Sequence, residues 1–521
     1  MALTMLRIRR FTRISSWRRL AFFGSAFFLF WIFVFGLTPL TVPLPPYTGP
    51  HEVGILDVEV EVDRRIISEA VLKTGEMAFE LSTLAITLYY PTDLAFPSTN
   101  TQTQPLARPW LPQPISMIGQ GYARIAGITF PPFQSLFTFL LWALGSSTVI
   151  PGTVDAPILT SEGKILIDET GGVAGLGRIF DLANAKERGK DRDEVGGAEL
   201  VGKGVEGARG TLPCVVFTHG MAGMSQSYSH YLGSIASHGI VVAAVEHRDG
   251  SGPGSIIHYP DGKKRTVWHL KPKDFLSEPT MTTGELQIAQ LAFREAEIEE
   301  TIKLLRHLND GQGDKIQNLK PKSPESALAG FKDRLNMKAV TVAGHSYGAT
   351  GALQTLKNAP SESMPINGAI MLDPGKGSGR LNKDIDIPIL VFHSGEWTEK
   401  QVEFYGQGKH FDVVKKLVQS VKTGWFMTLT GSAHPSCTDA PLIVPWIMKL
   451  VTGTTLHSRV ALKEYIDVSV DFLDFLRNGE KRGMLKSNVT SPDGPLGETE
   501  NRNTVKGRDG ADWEVHVVPD K

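Results

Sequence analysis

The sequence predicts an α/β protein, a mostly parallel sheet with helices packed on both faces, on three observations. Runs such as "CVVFTHG" and "IVVAAVEHRDG" are apolar at consecutive positions and rich in β-branched residues, the pattern of strands buried on both faces. Stretches whose apolar residues recur at helical spacing alternate with these runs from Leu212 onward. At 521 residues the chain is long enough for one large domain with extensions.

The first 45 residues are unlike the rest. Arg7, Arg9, Arg10, Arg13, Arg18 and Arg19 precede "LAFFGSAFFLFWIFVFGL", an almost unbroken apolar run from Leu20 to Leu37. At about 1.5 Å per residue, such a helix nearly crosses a bilayer core of roughly 30 Å. No acidic residue stands before Glu52, and the exit "TPLTVPLPPYTG" offers no small-residue cleavage site. The expectation for residues 1–45 is an uncleaved transmembrane signal anchor; the alternative is cleavage and secretion. Arginines ahead of the apolar run keep that end cytosolic and place the remainder on the lumenal or extracellular side.

Residues 46–478 read as the main domain. "PLPPYTGP" is an extended spacer, and "VGILDVEVEV" and "LAITLYYPTD" are strands. "FPPFQSLFTFLLWALGSS", Phe130 to Ser147, has helical character but is too short to span a membrane. Phe133, Leu136, Phe137, Leu140, Leu141 and Leu144 share one face of that helix, while Phe139 and Trp142 widen it at the side. It fits either a core helix or an interfacial one that dips into a lipid surface. The Gly- and charge-rich stretch 159–210 reads as a surface insertion. From Leu212 come strand "CVVFTHG", helix "SYSHYLGSIASHG", strand "IVVAAVEHRDG" and the long helix "ELQIAQLAFREAEIEETIKLLRHLND". Strands "NGAIMLD", "IPILVFHSG" and "GWFMTLTGSAH" follow, then the helix "SRVALKEYIDVSVDFLDFLRNG". Residues 479–521, polar and punctuated by Gly and Pro, are expected to be a disordered tail.

Composition narrows the function. A net charge of -1 leaves no basic footprint for nucleic acid. Two cysteines, Cys214 and Cys437, build no disulfide framework, and the 14 histidines include no H-E-x-x-H. No metal or cofactor is expected.

Chemistry concentrates at "VAGHSYGAT", Val342 to Thr350. A strand precedes Ser346 and a helix follows it, so G-x-S-x-G sits on a sharp strand-to-helix turn. There the two glycines are needed because side chains would meet neighbouring backbone. This nucleophile elbow lifts the hydroxyl above the sheet, as in the α/β-hydrolase fold. A serine nucleophile needs a base, and the base an orienting acid, in the chain order Ser, acid, His. His434 suits the base, on the "GSAH" turn after a strand. His393 lies inside a strand, and His410 and His457 sit in polar segments. Two carboxylates suit the acid: Asp373 ends one strand and Glu396 follows the next. The oxyanion hole needs two backbone N–H groups, from Tyr347 after the nucleophile and from Met221 after "VVFTHG". His219 reads as a brace for that loop, and His345 as the elbow's variable position.

The block "LPCVVFTHGMAGMSQSYSHYLGSIASHGIVVAAVEHRDGSG" resembles the platelet-activating-factor acetylhydrolases, phospholipases of α/β-hydrolase fold. "TGPHEVG", "LYYPTD", "VAGHSYGA", "MLDPG" and "LTGSAHPSCTD" extend the likeness, in order, from Tyr47 to Leu476. The resemblance implies calcium-independent cleavage of a short or oxidised acyl group at the sn-2 position of a phospholipid. It implies Ser346 as nucleophile, Asp373 as acid, His434 as base, and Met221 and Tyr347 as oxyanion donors. It also favours the interfacial reading of the helix bearing Phe139 and Trp142. Two departures stand out. Ala222 and Gly223 occupy a position where the family usually has a second glycine, and "DPG" replaces a larger segment containing an aromatic residue. The alternatives are an α/β-hydrolase for another small ester, or a catalytically inactive hydrolase-fold protein that binds lipid.

Overall fold

A computed structural model describes residues 24–25, 41–94, 107–159, 211–320, 324–498 and 501–519. The anchor expected at Leu20–Leu37 lies outside the described residues except for Gly24 and Ser25, as does the expected insertion from residue 160 on. Among the described residues no helix is long and apolar enough to cross a membrane. The unit that carries the chemistry is Pro43–Lys521.

Its centre is an 11-stranded sheet. The strands are β1 (Glu52–Val71), β2 (Met77–Thr92), β3 (Thr153–Val154), β4 (Leu212–Thr218), β5 (Val241–Val245), β6 (Leu335–His345), β7 (Ile366–Leu372), β8 (Ile389–Ser394), β9 (Gly424–Leu429), β10 (Val505–Lys506) and β11 (Asp512–Val517). Their order across the sheet is β10-β11-β9-β8-β7-β6-β4-β5-β2-β1-β3. From β5 through β4, β6, β7 and β8 to β9 every pairing is parallel. The long β1–β2 hairpin joins β5 antiparallel, so the sheet is mixed overall.

Among the described residues, the α-helices of five residues or more in this unit are α1 (Ile115–Ile125), α2 (Pro131–Gly145), α3 (Ser229–Ser237), α4 (Thr283–Asn309), α5 (Tyr347–Thr355), α6 (Gly395–Glu399), α7 (His410–Ser420), α8 (Pro445–Thr452) and α9 (Ser458–Asn478). Alternate residues of each central strand feed two cores, one on each face of the sheet. Val216, Val342 and Met371 pack with Ile298 and Ile302 of α4, Leu353 of α5 and Leu417 of α7. Val215, Ala343 and Ile370 pack with Leu232 of α3 and with Ile466 and Phe472 of α9. Burial on both faces is why these strands are continuously apolar. Helix α4 starts on a capping box: the Glu285 N–H donates to Thr282 Oγ1 at 3.2 Å and the Thr282 N–H to Glu285 Oε2 at 2.7 Å.

The structure corrects two expectations. Residues 512–517, inside the expected disordered tail 479–521, are ordered: β11 pairs antiparallel with β9 and buries Trp513 and Val515 completely. Burying such side chains contributes about 2 kcal/mol each, and that gain comes from a strand far back in the chain rather than from the tail's own composition. The single apolar face assigned to α2 also divides. Phe137, Leu140, Leu141 and Leu144 are half-buried, while Phe133 and Leu136 are exposed together with Phe139 and Trp142. Because α2 carries no charge and its apolar residues extend well beyond one face, with only Gln134, Ser135 and Thr138 polar, sequence periodicity could not say which side would meet protein. Among the features that went unforeseen are helices α1, α7 and α8 and a hairpin of Gly254–His258 with Lys264–Trp268.

Candidate active site

The elbow forms where β6 ends at His345 and α5 begins at Tyr347. Ser346 between them has φ 56° and ψ -118°, a conformation that costs a non-glycine residue about 1–3 kcal/mol. Crowding on both sides holds it there. A Cβ on Gly344 would lie 2.5 Å from the Gly348 carbonyl carbon, and one on Gly348 would lie 2.1 Å from the Thr218 oxygen. Thr218 Oγ1 also donates to the Gly348 carbonyl at 2.7 Å, pinning the elbow to β4.

The two candidate acids separate cleanly. Asp373, just past β7, is buried, and its Oδ2 lies 2.8 Å from His434 Nδ1. The same carboxylate accepts the Ser394 N–H on Oδ1 at 2.6 Å and the Ser394 hydroxyl on Oδ2 at 2.7 Å. These bonds from the neighbouring strand fix its direction. Glu396 faces the backbone instead: its Oε2 accepts the His434 N–H at 2.8 Å, and its other oxygen pairs with Lys400. One carboxylate therefore orients the ring and the other holds the turn that carries it.

Ser346 and His434 line one cavity of about 320 Å³, walled by Trp110, Leu111, Tyr122 and Leu141. Met221 and Gly220 of the loop after β4 line it too. This loop meets the elbow closely: a Cβ on Gly220 would come 3.1 Å from Ser346 Cβ. Ala222 adopts φ 59°, its N–H donating to Ser251 O at 2.8 Å, and the Gly223 N–H closes the turn on Gly220 O at 3.0 Å. The departure at Ala222 is thus accommodated in left-handed backbone tied down by Ser251. Among the described residues, neither the Met221 nor the Tyr347 N–H has an acceptor in the protein.

A buried network braces the loop from behind. Arg294 pairs with Asp249 at 2.7 Å, donates to His219 O at 2.7 Å and to Ser251 Oγ at 2.6 Å, and lies 4.5 Å over the Tyr347 ring. His219 is fully buried, and its Nε2 accepts the His247 N–H at 3.1 Å. Burial holds the His219 imidazole below its ordinary range, against the pull of Glu246. Burial likewise pushes His247 well down and its partner Glu297, 2.5 Å away, well up. These groups are structural.

His345 does more than fill the elbow's variable position. Its Nδ1 lies 2.7 Å from the Tyr228 hydroxyl, which accepts the Gly220 N–H at 3.2 Å, so His345 links elbow and loop. Burial, then the nearby His434, push its imidazole well below the ordinary range. Asp439, soon after His434, accepts the N–H groups of Ser229 and His230 and the Trp110 indole N–H, each at 2.9 Å. Burial pushes this carboxyl up to about 7 against those bonds. Sequence reasoning also missed Trp397, whose indole stacks on the His434 ring; the aromatic residue beside Glu396 in "HSGEW" was the available signal.

His345, Asp373 and His434 gather ligand-type atoms within 4.8 Å of one another. His434 Nδ1 and Asp373 Oδ2 bond each other and His345 Nδ1 faces Tyr228, while the buried His345 Nε2 has no hydrogen-bond partner among the described residues. A larger cavity, about 450 Å³, shares Met224 with the first. Of its charged residues, Arg108 pairs with Asp57 at 2.6 Å and Arg248 with Glu59 at 2.6 Å.

A serine on an elbow sharing one cavity with an imidazole that a buried carboxylate holds is compatible with the hydrolase class. A family model described as platelet-activating factor acetylhydrolase, isoform II, matches residues 202–489, and the chain belongs to that family. A provisionally named phospholipase A2 of Schizosaccharomyces pombe is 35% identical over 150 residues, 27% of this chain and 34% of that protein. The platelet-activating factor acetylhydrolase of Bos taurus is 30% identical over 165 residues, 31% of this chain and 34% of its own. That of Canis lupus familiaris is 29% identical over 262 residues, 50% of this chain and 53% of its own. The aligned stretches thus span about a third to a half of these relatives' lengths. Among solved structures, a ferulic acid esterase from Streptomyces cinnamoneus aligns with a TM-score of 0.49 and 17% identity, covering 87% of this chain and 98% of that one.

Proposed function

We propose that this chain is a serine esterase that removes short or oxidised sn-2 acyl groups from phospholipids without calcium. The observation that carries this reading is the cavity shared by Ser346 and a His434 whose Nδ1 lies 2.8 Å from Asp373. Ser346 Oγ attacks the ester carbonyl carbon as His434 Nε2 takes its proton, and Asp373 stabilises the imidazolium that forms. The N–H groups of Met221 and Tyr347 receive the developing oxyanion. Collapse of the tetrahedral intermediate breaks the ester bond, and His434 returns the proton to the departing glycerol oxygen. Water, deprotonated by His434, then releases the acyl group. The charge is stabilised by backbone N–H groups, so turnover should survive a calcium chelator. Assay of glycerophosphocholines across sn-2 chain lengths, with and without chelator, tests this. Fastest turnover on long unmodified chains, or loss of activity with the chelator, would sink the reading.

The substrate reaches the site from a lipid surface. Exposed Phe133, Leu136, Phe139 and Trp142, at 50–59% accessibility, form a charge-free surface on α2, and Leu141 of the same helix lines the Ser346 cavity. An apolar, uncharged helix with tryptophan at its margin suits the headgroup boundary. The apolar segment Leu20–Leu37 would hold the enzyme at a membrane as a signal anchor, with the catalytic unit on the lumenal or extracellular side. In protein lacking the segment Leu20–Leu37, polar substitutions at Phe139 and Trp142 should weaken liposome binding about tenfold or more while leaving turnover of a soluble short-chain ester unchanged, because each removes roughly 2 kcal/mol of buried apolar contact. Unaltered liposome binding would refute the docking role.

A further inference from the structure

Asp373 is not the only group that holds His434. The Trp397 indole, on α6, lies face to face with the imidazole, ring centroids 3.8 Å apart and planes 9° from parallel. Trp397 is anchored in turn. Its Nε1–H donates to Pro374 O at 2.9 Å, on the short "DPG" turn after the acid. Its backbone N–H donates at 3.2 Å to Ser394 Oγ, the hydroxyl that bonds Asp373. The Lys376 ammonium sits 4.5 Å from the indole centroid and is bonded to the carbonyls of Trp397 and Lys400.

We propose that Trp397 is a positioning residue for the acyl-transfer reaction, fixing the plane of the His434 imidazole, with Lys376 and Pro374 holding the indole in place. One hydrogen bond at Nδ1 leaves the ring free to swing about it. A flat aromatic contact removes that freedom and keeps Nε2 directed at the Ser346 cavity. When His434 takes up the serine proton, the resulting imidazolium also gains a cation–π contact with the indole. This inference rests on the Ser346–His434–Asp373 reading.

The test is steady-state kinetics of full-chain Trp397→Leu and Trp397→Phe on a soluble short-chain ester, with fluorophosphonate labelling and proton NMR of the downfield imidazole Nδ1–H. Misplacing a catalytic group by about 1 Å costs roughly 100-fold, so Trp397→Leu should lose about that factor in kcat with KM nearly constant. It should still label slowly, and its Nδ1–H signal should broaden. Trp397→Phe keeps a flat face and should recover most of the rate. Wild-type kcat with a sharp signal in Trp397→Leu overturns the proposal, and so does a rise in KM alone, which would mark a substrate contact. If Trp397→Leu fails to fold, Lys376→Met loosens the indole without removing it: a several-fold fall in kcat supports the clamp, and no fall overturns it. A wild-type protein that neither hydrolyses the ester nor takes the label would instead refute the esterase reading.

Discussion

Ser346→Ala is expected to abolish ester hydrolysis, lowering kcat about 10⁶-fold, while the protein stays folded. Loss of a serine nucleophile has an effect of that order because the remaining base and acid have nothing to activate. Alanine keeps the Cβ that the φ of 56° already accommodates. The elbow's own bonds, from the Ser346 N–H to Leu372 O at 2.9 Å and from the Thr350 N–H to Ser346 O at 3.2 Å, involve only backbone. Turnover with and without the variant, together with its melting temperature and fluorophosphonate labelling, checks both halves. A folded Ser346→Ala protein that still turns over the ester at a near-normal rate would rule out the serine mechanism.

The second large effect is expected at Asp373. In Asp373→Asn one oxygen remains for the Ser394 N–H, so the amide NH₂ turns toward His434 Nδ1. That nitrogen must then accept, which puts the proton on Nε2, where a base is needed. A wrong tautomer of this kind costs about 10⁴-fold in kcat. Glu396→Gln keeps an acceptor for the His434 N–H and loses only the half-exposed pairing with Lys400, so its cost should stay within about tenfold. Parallel kinetics of the two variants separate them. If Glu396→Gln proved the more damaging, the acid's role would pass to Glu396.

Much of this site was legible in the chain before any fold was known. The Ser346 turn announces itself because its constraint is local: two glycines, a strand and a helix within nine residues of "VAGHSYGAT". The continuous apolar strands are equally readable, since burial on both faces writes itself into consecutive positions. His434 was legible through its turn after a strand. The choice between Asp373 and Glu396 was legible only through the family resemblance, because each follows a strand and both approach His434, one at the ring and the other at the backbone.

What the chain by itself determined, then, is the alternation that makes a sheet covered on both faces and the elbow that raises Ser346. Both follow from short-range sterics and periodic burial. Local patterning left to the tertiary structure which carboxylate faces the imidazole, that Trp397 lies flat upon it, that α2 keeps Phe139 and Trp142 in the open, and that β11 pairs onto the sheet beside β9. Each of these depends on a contact across long separation, such as the 61 residues between Asp373 and His434. Such contacts are selected by the packing of the whole domain, and no window of sequence contains both partners.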